Sequence, residues 1–298
     1  MKLKTTLTAL LLSAVLTLTA SGAAASSPSP EPLIEEEETV LPMEETEALP
    51  GAHPIADGAR EIIETFLAEQ GITSKQIAVG WRDLRSGEEY YFNPDANFYG
   101  ASLYKVALNM YFAERVAAGE MDWDTLISSG RLDVLMTGSL EESNNSYSYT
   151  LTRYFGSYRK FRIRTSYLYG MTPEETMADR RYLRDSWITP RRMITCLQTL
   201  YNEPDRFPRV TMHLFRAQPG RYFRWFEDRW PIAQKYGYYR ISWLEISTAG
   251  IVYVPERPFL LVVLTHGAPM AEENIGRLCT LMGDYALTLI EQKPSLSR

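Results

Sequence analysis

The stretch Phe259-Leu260-Leu261-Val262-Val263-Leu264-Thr265 predicts a β-strand near the C-terminal end of the chain. Four further segments share its pattern of strand residues between turn residues: 77–84, 89–93, 232–238 and 244–254. The first two surround Arg85-Ser86-Gly87 and predict a β-hairpin. Three segments have helical spacing of apolar residues: 57–70, 103–118 and 271–292.

The region between the two groups of strands lacks strand patterns. Residues 120–230 predict helices, one of which begins after Thr189-Pro190 with proline at its first position. Strands so far apart, if they share a sheet, enclose a helical insertion. We therefore predict an α/β (α+β) sandwich, an antiparallel sheet of about five strands flanked by N- and C-terminal helices. Residues 56–98 and 231–298 would form the sheet part, and 99–230 an all-helical lobe.

The distribution of charge excludes a typical nucleic-acid-binding protein. The 298 residues include 31 basic and 37 acidic side chains, but eight of the acids lie before residue 50. Lys2 and Lys4 are the basic residues of that part, which leaves 29 of each sign from residue 56 onward. A nucleic-acid surface needs a basic surplus or stripe, and the sequence has neither.

The first 25 residues have the layout of a Sec-type secretory signal peptide. Two lysines precede a mostly apolar run over 5–20, and Ala23-Ala24-Ala25 offers a cleavage site. We expect a secreted or extracytoplasmic protein of the cell envelope, with an uncleaved N-terminal anchor as the alternative. Residues 26–55 are rich in Pro, Glu and Ser and predict a disordered acidic spacer. No later apolar run approaches 18 residues, so no integral membrane domain is expected.

The cysteines and histidines predict no metal site. Cys196 and Cys279 lie among leucines in predicted helices, where a disulfide and two buried free thiols both fit. The three histidines are isolated, and neither HExxH nor CxxC spacing occurs. No metal, nucleotide or flavin cofactor is expected.

A serine and a lysine open the helix predicted over 103–118. In Ser102-Leu103-Tyr104-Lys105 the hydroxyl and the amine share one helix face. Serine is a poor nucleophile unless a base takes its proton, and an ordinary lysine is protonated at pH 7. Burial beside a second cation would lower the lysine pKa toward that use. A second S-x-x-K, Ser157 to Lys160, is interpreted as a solvated helix turn.

Two further triplets follow in the chain. Ser143-Asn144-Asn145 lies at the predicted start of a helix, where an N-cap serine is the plain alternative. Asn144-Asn145-Ser146 also matches a glycosylation sequon, which matters only in a eukaryotic secretory pathway. Lys235-Tyr236-Gly237 lies in a strand pattern, where an edge-strand lysine is the alternative.

Together the three triplets resemble the S-x-x-K, S-D-N and K-T-G motifs of the serine β-lactamases and penicillin-binding proteins. The segment 184–190, Arg-Asp-Ser-Trp-Ile-Thr-Pro, is similar to the end of that family's omega loop. Residues 249–265 look like its last two strands. The resemblance spans 57–292 and is closest to the class A-type group, which implies a β-lactamase/transpeptidase-like fold.

The resemblance implies how protons move in the site. Ser102 would be the acylated nucleophile and Lys105 its general base or the partner of that base. Ser143 would pass a proton to the leaving nitrogen, and Lys235 would supply the second cation that tunes Lys105.

The resemblance also implies the substrate contacts. Asn145 would bind the amide side chain of the substrate, and Lys235 would attract its carboxylate. The backbone N–H groups of Ser102 and Tyr238 would form the oxyanion hole, next to Gly237 of the third motif.

Two of the three departures from the family pattern lie in the second and third motifs. Asn144 replaces an Asp whose role is mostly structural. Tyr236 replaces a Thr or Ser whose hydroxyl contacts the substrate carboxylate, so the bulky phenol puts ligand recognition in doubt. Arg240 would compensate by pairing with a carboxylate, or is a surface charge.

The third departure concerns the base that activates the deacylating water. Class A enzymes carry E-x-x-L-N in the omega loop, and the best match here is Glu174-Glu175-Thr176-Met177-Ala178. Ala178 cannot make the hydrogen bonds of Asn. Glu174 is thus the candidate base, and the alternative is an exposed acid in the first turn of a helix after Thr172-Pro173.

Three functions remain open from the sequence. The first is a class A β-lactamase-like serine hydrolase, and the second is a D-Ala-D-Ala peptidase or penicillin-binding protein without efficient deacylation. Their substrate would be a small β-lactam or a peptidoglycan stem peptide, and we expect a monomer. The third is a catalytically inactive cell-wall binding module. Tyr236 and the missing E-x-x-L-N favour this third function, whereas the other motif residues argue against it.

Overall fold

The computed structural model describes residues 54–217, 222–224, 229–240 and 242–291. The predicted signal peptide and all but the last two residues of the predicted spacer lie outside the described residues. The strands are β1 (Ile77–Asp83), β2 (Glu89–Phe92), β3 (Phe98–Tyr99), β4 (Leu126–Ile127), β5 (Gly130–Arg131), β6 (Trp187–Ile188), β7 (Ile232–Arg240), β8 (Leu244–Val252) and β9 (Phe259–Thr265).

The helices fall before, between and after the long strands. They are α1 (Ile55–Glu69), α2 (Tyr104–Ala117), α3 (Leu132–Leu140), α4 (Asn145–Arg153), α5 (Tyr158–Thr165), α6 (Pro173–Ala178), α7 (Arg180–Arg184), α8 (Pro190–Asn202), α9 (Val210–Phe215) and α10 (Ala271–Glu291). Short 3₁₀ turns cover Ala101–Leu103, Ser166–Tyr169 and Tyr222–Arg224.

Five strands form one antiparallel sheet in the order β2-β1-β9-β8-β7. The stretch Phe259–Thr265 lies at its centre and is buried along its whole length. Successive side chains of a strand point to opposite faces, and a continuous apolar run therefore fits a strand covered on both sides. The predicted sandwich with a helical insertion between β2 and β7 is confirmed.

Each face of the sheet has its own apolar core. Phe259, Leu261 and Val263 pack with α1 and α10, whereas Leu260, Val262 and Leu264 pack with the inserted helices. On α1 the buried side chains are spaced as one helical stripe: Ala59, Ile63, Phe66 and Leu67. The two cores hold β7 and the start of α2 in fixed positions at one side of the sheet.

The cysteines belong to different cores. Cys196 on α8 packs among the inserted helices, and Cys279 on α10 packs on the opposite face of the sheet. Both are buried and free. The sequence was compatible with either a disulfide or two free thiols, and the structure has two buried free thiols.

Short strands interrupt the helical region, which the sequence did not predict. β4 pairs with β5, and β6 pairs with β3 ahead of α2. The buried guanidinium of Arg162 donates to the carbonyls of Tyr182 and Trp187, and it thereby ties α5 to α7 and β6. No helix among the described residues combines the length and the apolar character needed to cross a membrane.

Candidate active site

Ser102 lies in the 3₁₀ turn between β3 and α2. The Gly100 N–H donates to the Ser186 carbonyl at 2.8 Å, which continues the β3–β6 pairing up to this turn. Ala101 has φ +47°, a left-handed conformation that costs a non-glycine residue about 1–2 kcal/mol. The pairing and the strained residue together fix the backbone of Ser102 at the start of α2.

The edge strand β7 packs directly against this turn at Gly237. A Cβ at that position would lie 2.4 Å from the Gly100 carbonyl oxygen, 3.0 Å from Ala101 Cβ and 3.1 Å from the Ser102 nitrogen. Only glycine permits this approach. The predicted oxyanion donors, the N–H groups of Ser102 and Tyr238, belong to these two adjoining segments.

Lys105 is fully buried on α2, one turn after Ser102. Its Nζ donates to the Ser143 carbonyl at 2.7 Å and to Asn145 Oδ1 at 2.8 Å, and it lies 3.4 Å from Ser143 Oγ. Burial lowers the pKa of Lys105 to about 8 because the charged form loses its hydration. The amine can thus lose its proton close to neutral pH.

Lys235 on β7 reaches the same hydroxyl from the other side. Its Nζ donates to Ser143 Oγ at 3.0 Å and to the Tyr236 carbonyl at 3.1 Å. Burial, followed by repulsion from Lys105, holds the pKa of Lys235 well below its usual value. Ser143 Oγ therefore lies between two buried amines, neither of which forms an ion pair with a carboxylate among the described residues.

The second motif is positioned by a helix cap. Asn144 Oδ1 accepts from the N–H groups of Ser146 and Tyr147, so Asn144 is the N-cap of α4. The alternative that Ser143 caps this helix is wrong. Ser143 instead has φ +55°, and its hydroxyl meets the two amines.

Asn109 supports the site and was missed by the sequence reasoning. It is fully buried, and its Nδ2 donates to the Lys105 carbonyl at 2.7 Å and to Ser139 Oγ at 2.9 Å. Ser139 is in turn hydrogen-bonded to Ser148 on α4. An asparagine one turn beyond Lys105, between the apolar residues Leu108 and Met110, is the signal that would have identified it.

The sequence also matches the model of a protein family. The model of the β-lactamase enzyme family matches residues 59–154 and 156–286. The chain belongs to the β-lactamase enzyme family. No curated protein sequence matches it.

Solved structures show the same fold at low sequence identity. A β-lactamase from Chitinophaga pinensis is 16% identical, with a TM-score of 0.64 over 77% of this chain and 99% of that one. The TLA-3 extended-spectrum β-lactamase is 15% identical, with a TM-score of 0.64 over 77% and 98%. An ancestral class A β-lactamase is 16% identical, with a TM-score of 0.61 over 78% and 99%. The predicted resemblance to the class A-type group is confirmed at the level of family and fold.

Within this β-lactamase fold, a cleft of about 430 Å³ opens beside Asn145. It is lined mostly by aromatic, hydroxyl and guanidinium groups: Tyr104, Asn145, Tyr149, Arg153, Ser157 and Tyr158. Asn145 also accepts from Lys105 Nζ, so this residue connects the cleft to the hydrogen-bonded group around Lys105. Ser157 is the N-cap of α5 and accepts from the Lys160 N–H, which agrees with the interpretation of the second S-x-x-K as a helix turn.

Three other predicted residues are exposed, and their side chains make no hydrogen bond with the two amines. Glu174 is exposed in the first turn of α6, where Thr172 and Glu175 form a capping box. Arg240 is exposed at the end of β7, and Tyr238 is 50% exposed. The Ser102 hydroxyl makes no hydrogen bond with a described residue.

Proposed function

We propose that the protein is a serine hydrolase that forms an acyl-enzyme through Ser102 with β-lactams or related amides. The observation that carries this proposal is the pair of buried amines, Lys105 and Lys235, joined by Ser143 Oγ next to the Ser102 turn. Two buried amines without a carboxylate lose protons far more readily than exposed ones. Such an amine is the base that a serine nucleophile requires.

The proton balance of acylation follows from these contacts. Ser102 Oγ attacks the substrate carbonyl carbon while its proton passes to neutral Lys105. The tetrahedral oxygen accepts from the N–H groups of Ser102 and Tyr238. The C–N bond then breaks, and the nitrogen takes a proton from Ser143, which regains one from the ammonium of Lys105. The ester on Ser102 and a neutral leaving amine result.

The fate of the acyl group favours a second candidate, a penicillin-binding protein that deacylates slowly. Glu174 is exposed, and no described carboxylate hydrogen-bonds the hydroxyls or amines of the site. Loss of a positioned base for the deacylating water costs roughly 10²–10⁴-fold in rate. We therefore expect the acyl-enzyme to persist for longer than in an efficient β-lactamase.

Intact mass measured over time after addition of a panel of β-lactams tests the proposal. An adduct that forms in the wild type but not in S102A supports acylation. An adduct that forms and then disappears supports a β-lactamase, because the acyl group has been hydrolysed. An adduct that persists supports the second candidate. Absence of any adduct from the whole panel, with the protein folded, would support the inactive binding module instead.

We also propose export by the N-terminal segment, on the basis of its two lysines, apolar run and Ala23-Ala24-Ala25. N-terminal sequencing of the exported protein would show a start after Ala25 if the segment is cleaved. A start at Met1 would indicate the uncleaved anchor.

A further inference from the structure

The ammonium of Lys235 is fully enclosed by neighbouring groups. A lysine ammonium has three N–H donors. Two of them are directed to Ser143 Oγ at 3.0 Å and the Tyr236 carbonyl at 3.1 Å. The ring of Tyr236 covers the remaining side, with its centroid 3.9 Å from Nζ, which is within the range of a cation–π contact. Lys235 is 0% exposed as a result.

Tyr236 is itself held in place on both sides. Its ring stacks on Tyr222 with centroids 5.2 Å apart and an interplanar angle of 14°. The two rings are 6% and 4% exposed. Burial raises the pKa of Tyr236, and a hydrogen bond between its side chain and Ser143 partly offsets that rise. The phenol thus remains neutral and bridges the hydroxyl of Ser143 and the apolar core next to β7.

An anionic group of a ligand cannot contact Lys235 in this arrangement. A carboxylate would have to replace either the Tyr236 ring or the Ser143 hydroxyl at Nζ. Displacement of the ring would break the stack with Tyr222 and expose two buried aromatic side chains. A smaller side chain at 236 would remove the ring that covers this side of Nζ.

We propose that Tyr236 is a specificity residue that closes Lys235 to the carboxylate of the substrate, so that the site prefers acyl donors that are uncharged at that position. The inference rests on the proposed acylation of Ser102.

A matched pair of substrates tests this directly: benzylpenicillin, whose carboxylate is an anion, and its methyl ester, in which the same group is uncharged. The quantity measured is the ratio of acylation rate constants, acid over ester, from intact mass over time. We expect a ratio of about one or less for the wild type. We expect Y236T to raise this ratio by about tenfold or more, since a hydrogen bond to a charged group is gained.

Y236F is the control for the hydroxyl. It keeps the ring, so its ratio is expected to equal that of the wild type even if Ser143 is disturbed and both rates change. The wild-type ratio needs no variant, and it tests the inference even if Y236T does not fold. A wild-type ratio above ten, or a Y236T ratio equal to that of the wild type, would overturn the inference.

A neutral fluorophosphonate, which labels activated serines and carries no carboxylate, separates this inference from the proposed function. If the probe labels Ser102 but the ratios contradict the expectation, only the role of Tyr236 fails. If the probe labels neither the wild type nor Y236T, the proposed function fails, and the inference fails with it.

Discussion

Burial of Lys105 makes the reactivity of Ser102 depend on pH. The pKa of Lys105 is lowered to about 8, so the amine becomes a base as the pH rises through that value. We expect the rate of fluorophosphonate labelling to rise between pH 6 and pH 10 with an apparent pKa near 8. The labelling reaction is stopped at a series of times at each pH, and intact mass gives the labelled fraction from which the rate is obtained. K160A, which removes an exposed lysine, should leave it unchanged, whereas a flat wild-type profile would exclude a lysine base.

Gly237 provides a second test at the residue scale. G237A would bring a Cβ within 2.4 Å of the Gly100 carbonyl and separate β7 from the Ser102 turn. We expect a loss of about 1–3 kcal/mol in the free energy of unfolding and at least a 100-fold slower labelling of Ser102. Denaturant unfolding and labelling rates measure the two effects.

G119A is the matched control for this substitution. Gly119 has φ +71° with no atom within 4 Å of the added Cβ, so alanine there costs about 1–2 kcal/mol of strain far from the amines. Its labelling rate should equal that of the wild type. Equal rates for G237A and the wild type would show that β7 does not form the oxyanion site.

The motifs with fixed spacing name residues that the structure brings together. Lys105, Ser143, Asn145 and Lys235 meet in one hydrogen-bonded group, as the order of motifs indicated. The stack of Tyr236 on Tyr222 was beyond such reasoning. It depends on two segments that are separated along the chain and meet only at the edge of the folded sheet.

At the scale of the elements, the start of α4 controls the position of Ser143. Asn144 accepts two backbone N–H groups as the N-cap. N144A should therefore lower the free energy of unfolding by about 1 kcal/mol and slow the labelling of Ser102, because Ser143 loses its support. N144D restores a strong cap and should behave as the wild type. Thermal unfolding of the wild type, N144A and N144D measures this effect. An equal loss of stability in N144A and N144D would contradict the role of the cap.

The long elements were predictable because their patterns are long. The central strand β9 and its neighbours have continuous apolar or strand-forming runs, and α1 and α10 have helical spacing. The pairs β3–β6 and β4–β5 have two residues in each strand, which is too short for any periodicity. The β3–β6 pair nevertheless anchors the Ser102 turn, so the element that positions Ser102 could not be predicted from the sequence.

At the scale of the whole molecule, the two cores on opposite faces of the sheet keep the thiols apart. Cys196 and Cys279 are buried on different sides, and burial raises the pKa of both thiols. We expect no reaction of the native protein with Ellman's reagent and two reactive thiols in denaturant. A reducing agent should not shift the Tm. If no thiol reacts in denaturant without a reducing agent, the two cysteines form a disulfide in the native protein, which would contradict this arrangement.

The separation of the strands into two groups along the chain gave the architecture of the whole molecule, but the strand order did not follow from it. The order β2-β1-β9-β8-β7 places the C-terminal strand β9 beside the N-terminal hairpin of β1 and β2 and leaves β7 at the edge. That edge is required for the close approach of Gly237 to Ser102. Long-range strand pairing of this kind depends on packing against both cores rather than on local pattern.

The most direct test of the account is fluorophosphonate labelling followed by peptide mapping in the wild type, S102A and K105A. The account predicts one adduct, on Ser102, in the wild type and none in S102A. It predicts labelling slower by at least roughly 100-fold in K105A, since the general base is lost. An adduct on another residue, or labelling of K105A at the wild-type rate, would contradict the claim that a buried lysine activates Ser102.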